Sequence, residues 1–130
     1  MAKRRRPKPK PIVIPKIDFI LKDTHDTKLR DILIELKSLN NEAHRFMMGP
    51  YKVAKAKYHE LQKTPIWERA KHLLLQYFIL TNQFKCYRCK KDLDSRFCTL
   101  HHLEYNWQEL FSPCFVCFVS ARCHKILHSE

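Results

Sequence analysis

The residues of this chain that can do chemistry crowd into its last third. All six cysteines lie after residue 85, as Cys86, Cys89, Cys98, Cys114, Cys117 and Cys123, and half of the eight histidines, His101, His102, His124 and His128, stand among them. A Cys-x-x-Cys turn aims two thiolates at one ion, and two such pairs, Cys86/Cys89 and Cys114/Cys117, separated by 24 residues, point to zinc. Lys85, Arg88, Lys90 and Lys91 surround the first pair and favour its thiolate form. Thr99-Leu100-His101-His102-Leu103 reads as a strand, on which neighbouring side chains point to opposite faces, so His101 and His102 can hold different jobs. His124 and His128 stand four apart and share one face of a short helix. One strand histidine with two helix histidines can form a three-ligand metal site with open positions for water and substrate. The other strand histidine is then left to act as a base. His25, His44, His59 and His72 are scattered and read as ordinary surface or core histidines, and Cys98 as a small core residue.

Taken together, Cys86-x-x-Cys89, His101-His102-Leu103-Glu104-Tyr105 and Cys123-His124-x-x-x-His128 resemble the HNH endonucleases of the His-Me finger, or ββα-metal, group, in particular phage-type members with a structural zinc. The resemblance covers about residues 65–130, and Trp67 suits the helix that often precedes this core. It implies a DNA phosphodiester hydrolase with His102 as general base. His101, His124 and His128 would hold the catalytic divalent ion, which could be Mg²⁺, Mn²⁺, Ni²⁺ or Zn²⁺. The implied products are a 3′-hydroxyl and a 5′-phosphate. It also implies a structural Zn²⁺ on Cys86, Cys89 and Cys123, with Cys117 or else Cys114 in the fourth place; the alternative uses the two simple pairs and omits Cys123. Two positions depart from the family pattern: Phe115 stands where an Asn or Asp usually pins the loop that orients the base, and Ser120 where a cysteine opens the second structural pair. These departures support a second reading, a catalytically inactive zinc module that binds nucleic acid or a protein complex.

The elements that must position these residues are legible from periodicity. Leu29, Ile32, Leu33, Leu36, Leu39, Ala43 and Phe46 recur at helical steps, with Asp26 or Thr27 available as a cap and Gly49-Pro50 as a stop. Val53, Ala54, Lys57, Tyr58 and Leu61 suggest a shorter basic helix. Thr64-Pro65 then opens a third, on which Ile66, Trp67, Ala70, Leu73, Leu74, Tyr77 and Phe78 form a packing stripe. The expected fold is α+β: a helical amino-terminal region followed by a small zinc-stabilised ββα-metal core. Its strands are expected near 98–103 and 114–119, and its helix near 121–129. The expected organisation is a tail over residues 1–16, a helical region over 17–64 and the HNH-like zinc-binding domain over 65–130.

Charge supplies the partner. The 130 residues carry 25 Lys+Arg against 13 Asp+Glu, a formal +12, and the tail holds +7 of it as Lys3, Arg4, Arg5, Arg6, Lys8, Lys10 and Lys16. With Pro7, Pro9, Pro11 and Pro15 in the same stretch, the tail reads as a disordered arm that adds salt-sensitive phosphate contacts. Residues 84–130 carry only +2, and there Arg88, Lys90, Lys91, Arg96, Arg122 and Lys125 are the candidates for gripping phosphates. DNA, double-stranded, is the expected partner, with a protein complex through the helical region as a further one. The single glycine, Gly49, excludes Walker-type and GxGxxG phosphate loops. Apolar runs such as Leu73–Leu75 and Tyr77–Leu80 are far short of the roughly 18 residues of a membrane span, so no membrane partner is expected. The zinc reading and the lack of a secretory signal place the chain in a reducing compartment: cytoplasmic, or nuclear in a eukaryotic host.

Overall fold

A computed structural model describes residues 16–48 and 54–129; Lys3, Arg4, Arg5, Arg6 and the rest of the basic arm before residue 16, and the Gly49-Pro50 stop, lie outside the described residues. The chain is a mixed helical and β structure. It opens with α1 (Lys16–Asp23), which starts one residue inside the stretch expected to be a tail. The burial of Ile17 fixes α1 on the core, and Arg30 holds its far end by donating from Nη1 to the carbonyls of Leu21 (2.7 Å) and Thr24 (2.9 Å).

The periodic stretch after it forms α2 (Thr27–Met47). Asp26 caps it by accepting from the Leu29 N–H at 3.0 Å, and the buried face is Ile32, Leu33, Leu36, Leu39, Asn40, Ala43 and Met47. One polar residue, Asn40, sits within that apolar stripe. Next come α3 (Ala54–Leu61) and α4 (Pro65–Leu80), with Pro65 in the first helical position where its missing N–H costs nothing. Thr64 precedes α4 as expected but does not cap it, because its hydroxyl donates back to the Leu61 carbonyl at 2.6 Å. α4 packs along α2, burying Trp67, Ala70, Leu73, Leu74 and Phe78, and Glu35 and Arg69 pair across the rim of that contact.

β1 (Cys98–His102) and β2 (Val116–Ser120) form a two-stranded antiparallel sheet, and α5 (Ala121–Ser129) follows directly. A short 3₁₀ turn, Pro113–Phe115, leads into β2. The register sets Cys98 opposite Ser120, Leu100 opposite Phe118, His101 opposite Cys117 and His102 opposite Val116. Directly paired residues share a face, so the sheet divides its side chains between two apolar clusters. Cys98, Leu100, Val116 and Phe118 join the helices in the main core, which runs unbroken from Ile17 in α1 to the hairpin. Cys117 and Val119 turn the other way, against Cys86 and Cys123. His101 and His102, one residue apart, therefore look out on opposite sides of the sheet. No helix among the described residues is long and apolar enough to cross a membrane.

Candidate functional site

The segment between α4 and β1 folds around Cys86 and Cys89. The Cys86 N–H donates to the Lys91 carbonyl (2.9 Å), the Lys90 N–H to the Cys86 carbonyl (2.8 Å), and Lys85 bridges to Asp92, which closes a tight knuckle. Lys90 takes the left-handed conformation that the turn needs, φ 64°, where no glycine is available. The Tyr87 N–H ties the knuckle to the Phe118 carbonyl of β2 at 3.0 Å. α5 brings Cys123 to the same place. Its Sγ and those of Cys86 and Cys89 all lie within 4.8 Å of one another, and among the described residues they are the one group of three donors able to hold a metal ion. Tetrahedral zinc, with bonds of about 2.3 Å to sulfur, sets its sulfurs about 3.8 Å apart, so the trio fits such an ion with little movement. Burial works against a thiolate at Cys86, but backbone hydrogen bonds from Cys89, Ser120 and Arg88 outweigh it and bring the thiol down to about 6. Arg88 Nη1 stands 3.9 Å from Cys123 Sγ. A cavity of about 420 Å³ borders the trio, with Arg88, Lys91, Asp92 and Arg122 on its walls.

Neither Cys117 nor Cys114 belongs to the trio. Cys117 packs in the small apolar cluster behind it, where burial, with Cys86 next to it, pushes its thiol up to about 11; Cys114 is exposed in the turn before β2. Ser120, which stands where the resemblance expects a cysteine, serves α5 instead: its hydroxyl accepts from the Cys123 N–H at 3.2 Å. Cys98 is buried in the main core, as expected.

The histidines open onto a second cavity, also of about 420 Å³, whose walls include His101, His102 and His124. His101 and His124 meet edge to face with ring centroids 5.6 Å apart. His128 follows one turn later on α5, and its side chain lies outside the described residues. His102 reaches the same space from the core side and is only 4% exposed. Its Nε2 lies 2.9 Å from the Leu110 carbonyl, which can only accept, so Nε2 carries the hydrogen and Nδ1 the lone pair. That lone pair accepts from the Tyr58 hydroxyl at 3.2 Å. Burial depresses the His102 pKa to about 4 against the pull of the Leu110 hydrogen bond, with His101 adding to the depression, so the ring is neutral near pH 7. Burial, and after it Tyr105, raises the Tyr58 phenol well above its ordinary range, so it remains a neutral donor.

Tyr58, His59 and Lys71 also line this cavity, and none of them stood out in the sequence. Tyr58 is the centre of an aromatic cluster with Trp67, Tyr105, Trp107 and His102, at centroid distances of 5.5–6.0 Å. The i to i+4 spacing of Trp67 and Lys71 was the one available signal, since it puts both on the same face of α4.

Between the strands, the 106–115 loop is held by buried polar groups. Asn40 accepts from the Phe111 N–H (2.6 Å) and donates to Ser112 Oγ (3.1 Å). Glu109 accepts from Ser112 Oγ (3.1 Å) and from the Ile17 N–H (2.9 Å). Phe115 is buried, and its carbonyl accepts from Leu103 at 2.8 Å, closing the loop at the end of the hairpin. Of the candidate phosphate contacts, Arg88, Lys90, Lys91, Arg96, Arg122 and Lys125 are exposed. Arg88, Lys91 and Arg122 gather by the thiol trio, while Lys90 lies over the Tyr87 ring at 4.8 Å.

Compared with known protein families, curated proteins and solved structures, the chain shows no significant match.

Proposed function

We propose that this chain is a metal-dependent, HNH-type endonuclease that hydrolyses DNA phosphodiester bonds, with its hairpin and last helix stapled by zinc on Cys86, Cys89 and Cys123. The observation that carries the reading is the meeting of His101, His102 and His124 on one cavity, with His101 and His124 ring to ring. The donor types suit a catalytic ion: imidazole is a common ligand of divalent metals, His101 and His124 meet ring to ring, and His128 is the remaining candidate on the same helix. A divalent ion bound there supplies positive charge beside the scissile phosphate.

The chain's own residues account for the rest. His102 Nδ1 takes a proton from a water in the cavity while Nε2–H stays on the Leu110 carbonyl, so the positive charge that develops on the ring remains hydrogen-bonded. The water oxygen bonds to phosphorus, the bond to the 3′-oxygen breaks and that oxygen takes a proton from solvent, which leaves a 5′-phosphate and a 3′-hydroxyl. Lys71 on the cavity wall, with Arg88, Lys91, Arg122 and Lys125, supplies cations for the flanking phosphates.

The test is nicking of supercoiled plasmid by the full chain with Mg²⁺, Mn²⁺ or Ni²⁺. His102→Ala is expected to lower the rate by about 10²–10⁴-fold while salt-sensitive DNA binding persists. Equal cleavage by the variant rejects His102 as base, and no cleavage by the parent with any of the three ions rejects the reading. A second reading, a zinc-stapled nucleic-acid-binding module without chemistry, draws on a specific observation: both ring nitrogens of His102 are already engaged in the free protein. It predicts binding without any metal-dependent product.

A further inference from the structure

Among the described residues the buried polar side chains are Asn40, His102, Glu109 and Ser112, and all four belong to one hydrogen-bonded chain. The chain begins at His102, whose Nε2–H donates to the Leu110 carbonyl at 2.9 Å. That carbonyl shares a peptide group with the Phe111 N–H, which donates to Asn40 Oδ1 at 2.6 Å. A peptide group is planar, so its C=O and N–H cannot turn independently. Asn40 therefore grips one end of a rigid plate whose other end holds the imidazole. Beyond it, Asn40 Nδ2 donates to Ser112 Oγ (3.1 Å), and Ser112 Oγ–H donates to Glu109 Oε1 (3.1 Å), which also receives the Ile17 N–H (2.9 Å). Each donor along this path meets an acceptor. Reversing the Asn40 amide would set its NH₂ against the Phe111 N–H, so the direction of the whole chain is determined.

We infer that Asn40 is the positioning residue of His102: through the Leu110–Phe111 peptide it keeps Nε2 as the protonated ring nitrogen and turns the Nδ1 lone pair to the Tyr58 hydroxyl on the cavity wall. It does so from α2, outside the hairpin and its loop, and it is not one of the residues that line the cavity. Without its oxygen the Phe111 N–H is a buried donor with no acceptor, a costly state that drives the peptide to turn. The carbonyl that holds Nε2 turns with it. The inference concerns the state of the ring and does not depend on DNA cleavage, which enters only as a second readout.

The experiment is NMR of the full chain, following solvent exchange of the His102 Nε2–H beside that of a core amide, Leu74. In Asn40→Leu the Nε2–H is expected to exchange at least about tenfold faster while Leu74 is unchanged. An unchanged Nε2–H, or an acceleration that Leu74 shares in equal measure, overturns the inference, because a residue that merely stabilises the fold moves both alike. Should Asn40→Leu fail to fold, Asn40→Ser, too short to reach Phe111 but still polar, is read by the same criteria. If the parent nicks plasmid, either variant lowers kcat on the order of 100-fold with KM little changed. If the parent does not nick, the nuclease reading falls and the exchange data alone decide the role of Asn40.

Discussion

His102 enters the folded state as a neutral imidazole, and this ties stability to pH. Its folded pKa is about 4, against an ordinary 6.5, so between those values the unfolded chain binds a proton that the folded chain refuses. Stability from this group is complete above about pH 6.5 and is lost as pH falls toward 4, a change of about 3 kcal/mol for a depression of this size. Denaturant midpoints measured across that window without added divalent ion are expected to show the slope, and His102→Asn to flatten it. A parent curve that is level there contradicts the assignment. The same ring is capped at Nδ1 by Tyr58, and water has to take that place before His102 can accept a proton. A hydrogen bond of this kind contributes about 1 kcal/mol, so Tyr58→Phe is expected to raise the nicking rate about fivefold. A fall in rate would show instead that the hydroxyl itself takes part in proton transfer.

At the scale of elements, three thiols, Arg88 beside Cys123 and the small apolar cluster bring the knuckle and α5 together, and the link from Tyr87 to Phe118 ties the knuckle to β2. Zinc is therefore expected to bind at one ion per chain. Cys86→Ser is expected to lose the ion and lower Tm, whereas Cys117→Ser keeps it; metal analysis of the two proteins checks the assignment, and loss from the second returns Cys117 to the ligand set. Much of this architecture was legible beforehand. Periodicity and a cap located α2, the Thr64-Pro65 pair opened α4, and strands expected at 98–103 and 114–119 form at 98–102 and 116–120. Cys86 and Cys89 were legible as candidate metal ligands because Cys-x-x-Cys spacing is a local property, whereas Cys123, far along the chain, entered the set only through the family resemblance. Other features were hidden because they depend on distant partners. α1 has eight residues and few local signals, and its Ile17 N–H is met by Glu109 from the far end of the chain. Asn40 reads as an ordinary polar helix residue until Phe111 and Ser112 arrive opposite it. Tyr58 and His59 reach the histidine cavity through helix packing that no spacing rule encodes.

For the whole molecule, the decisive fact is that one apolar core joins α1 and α2 to the hairpin. The amino-terminal helices are thus part of the body that carries the site, and unfolding is expected to be a single transition. Leu36→Ala, on the buried face of α2 one turn before Asn40, is expected to cost about 3 kcal/mol and to weaken the protection of the β1 and β2 amides equally. Hydrogen exchange checks this, and a hairpin that keeps its protection while the helices lose theirs would show two independent units. The Ile17–Glu109 and Asn40–Phe111 bonds span 92 and 71 positions of the chain. Contacts of such sequence separation close late, because the loop entropy must be met before they form. As the polypeptide leaves the ribosome, its helices can collapse long before residue 111 emerges, but the imidazole has no anchored carbonyl until then. The setting of the His102 ring is therefore completed only once Asn40 and Phe111 have found each other across that stretch of chain.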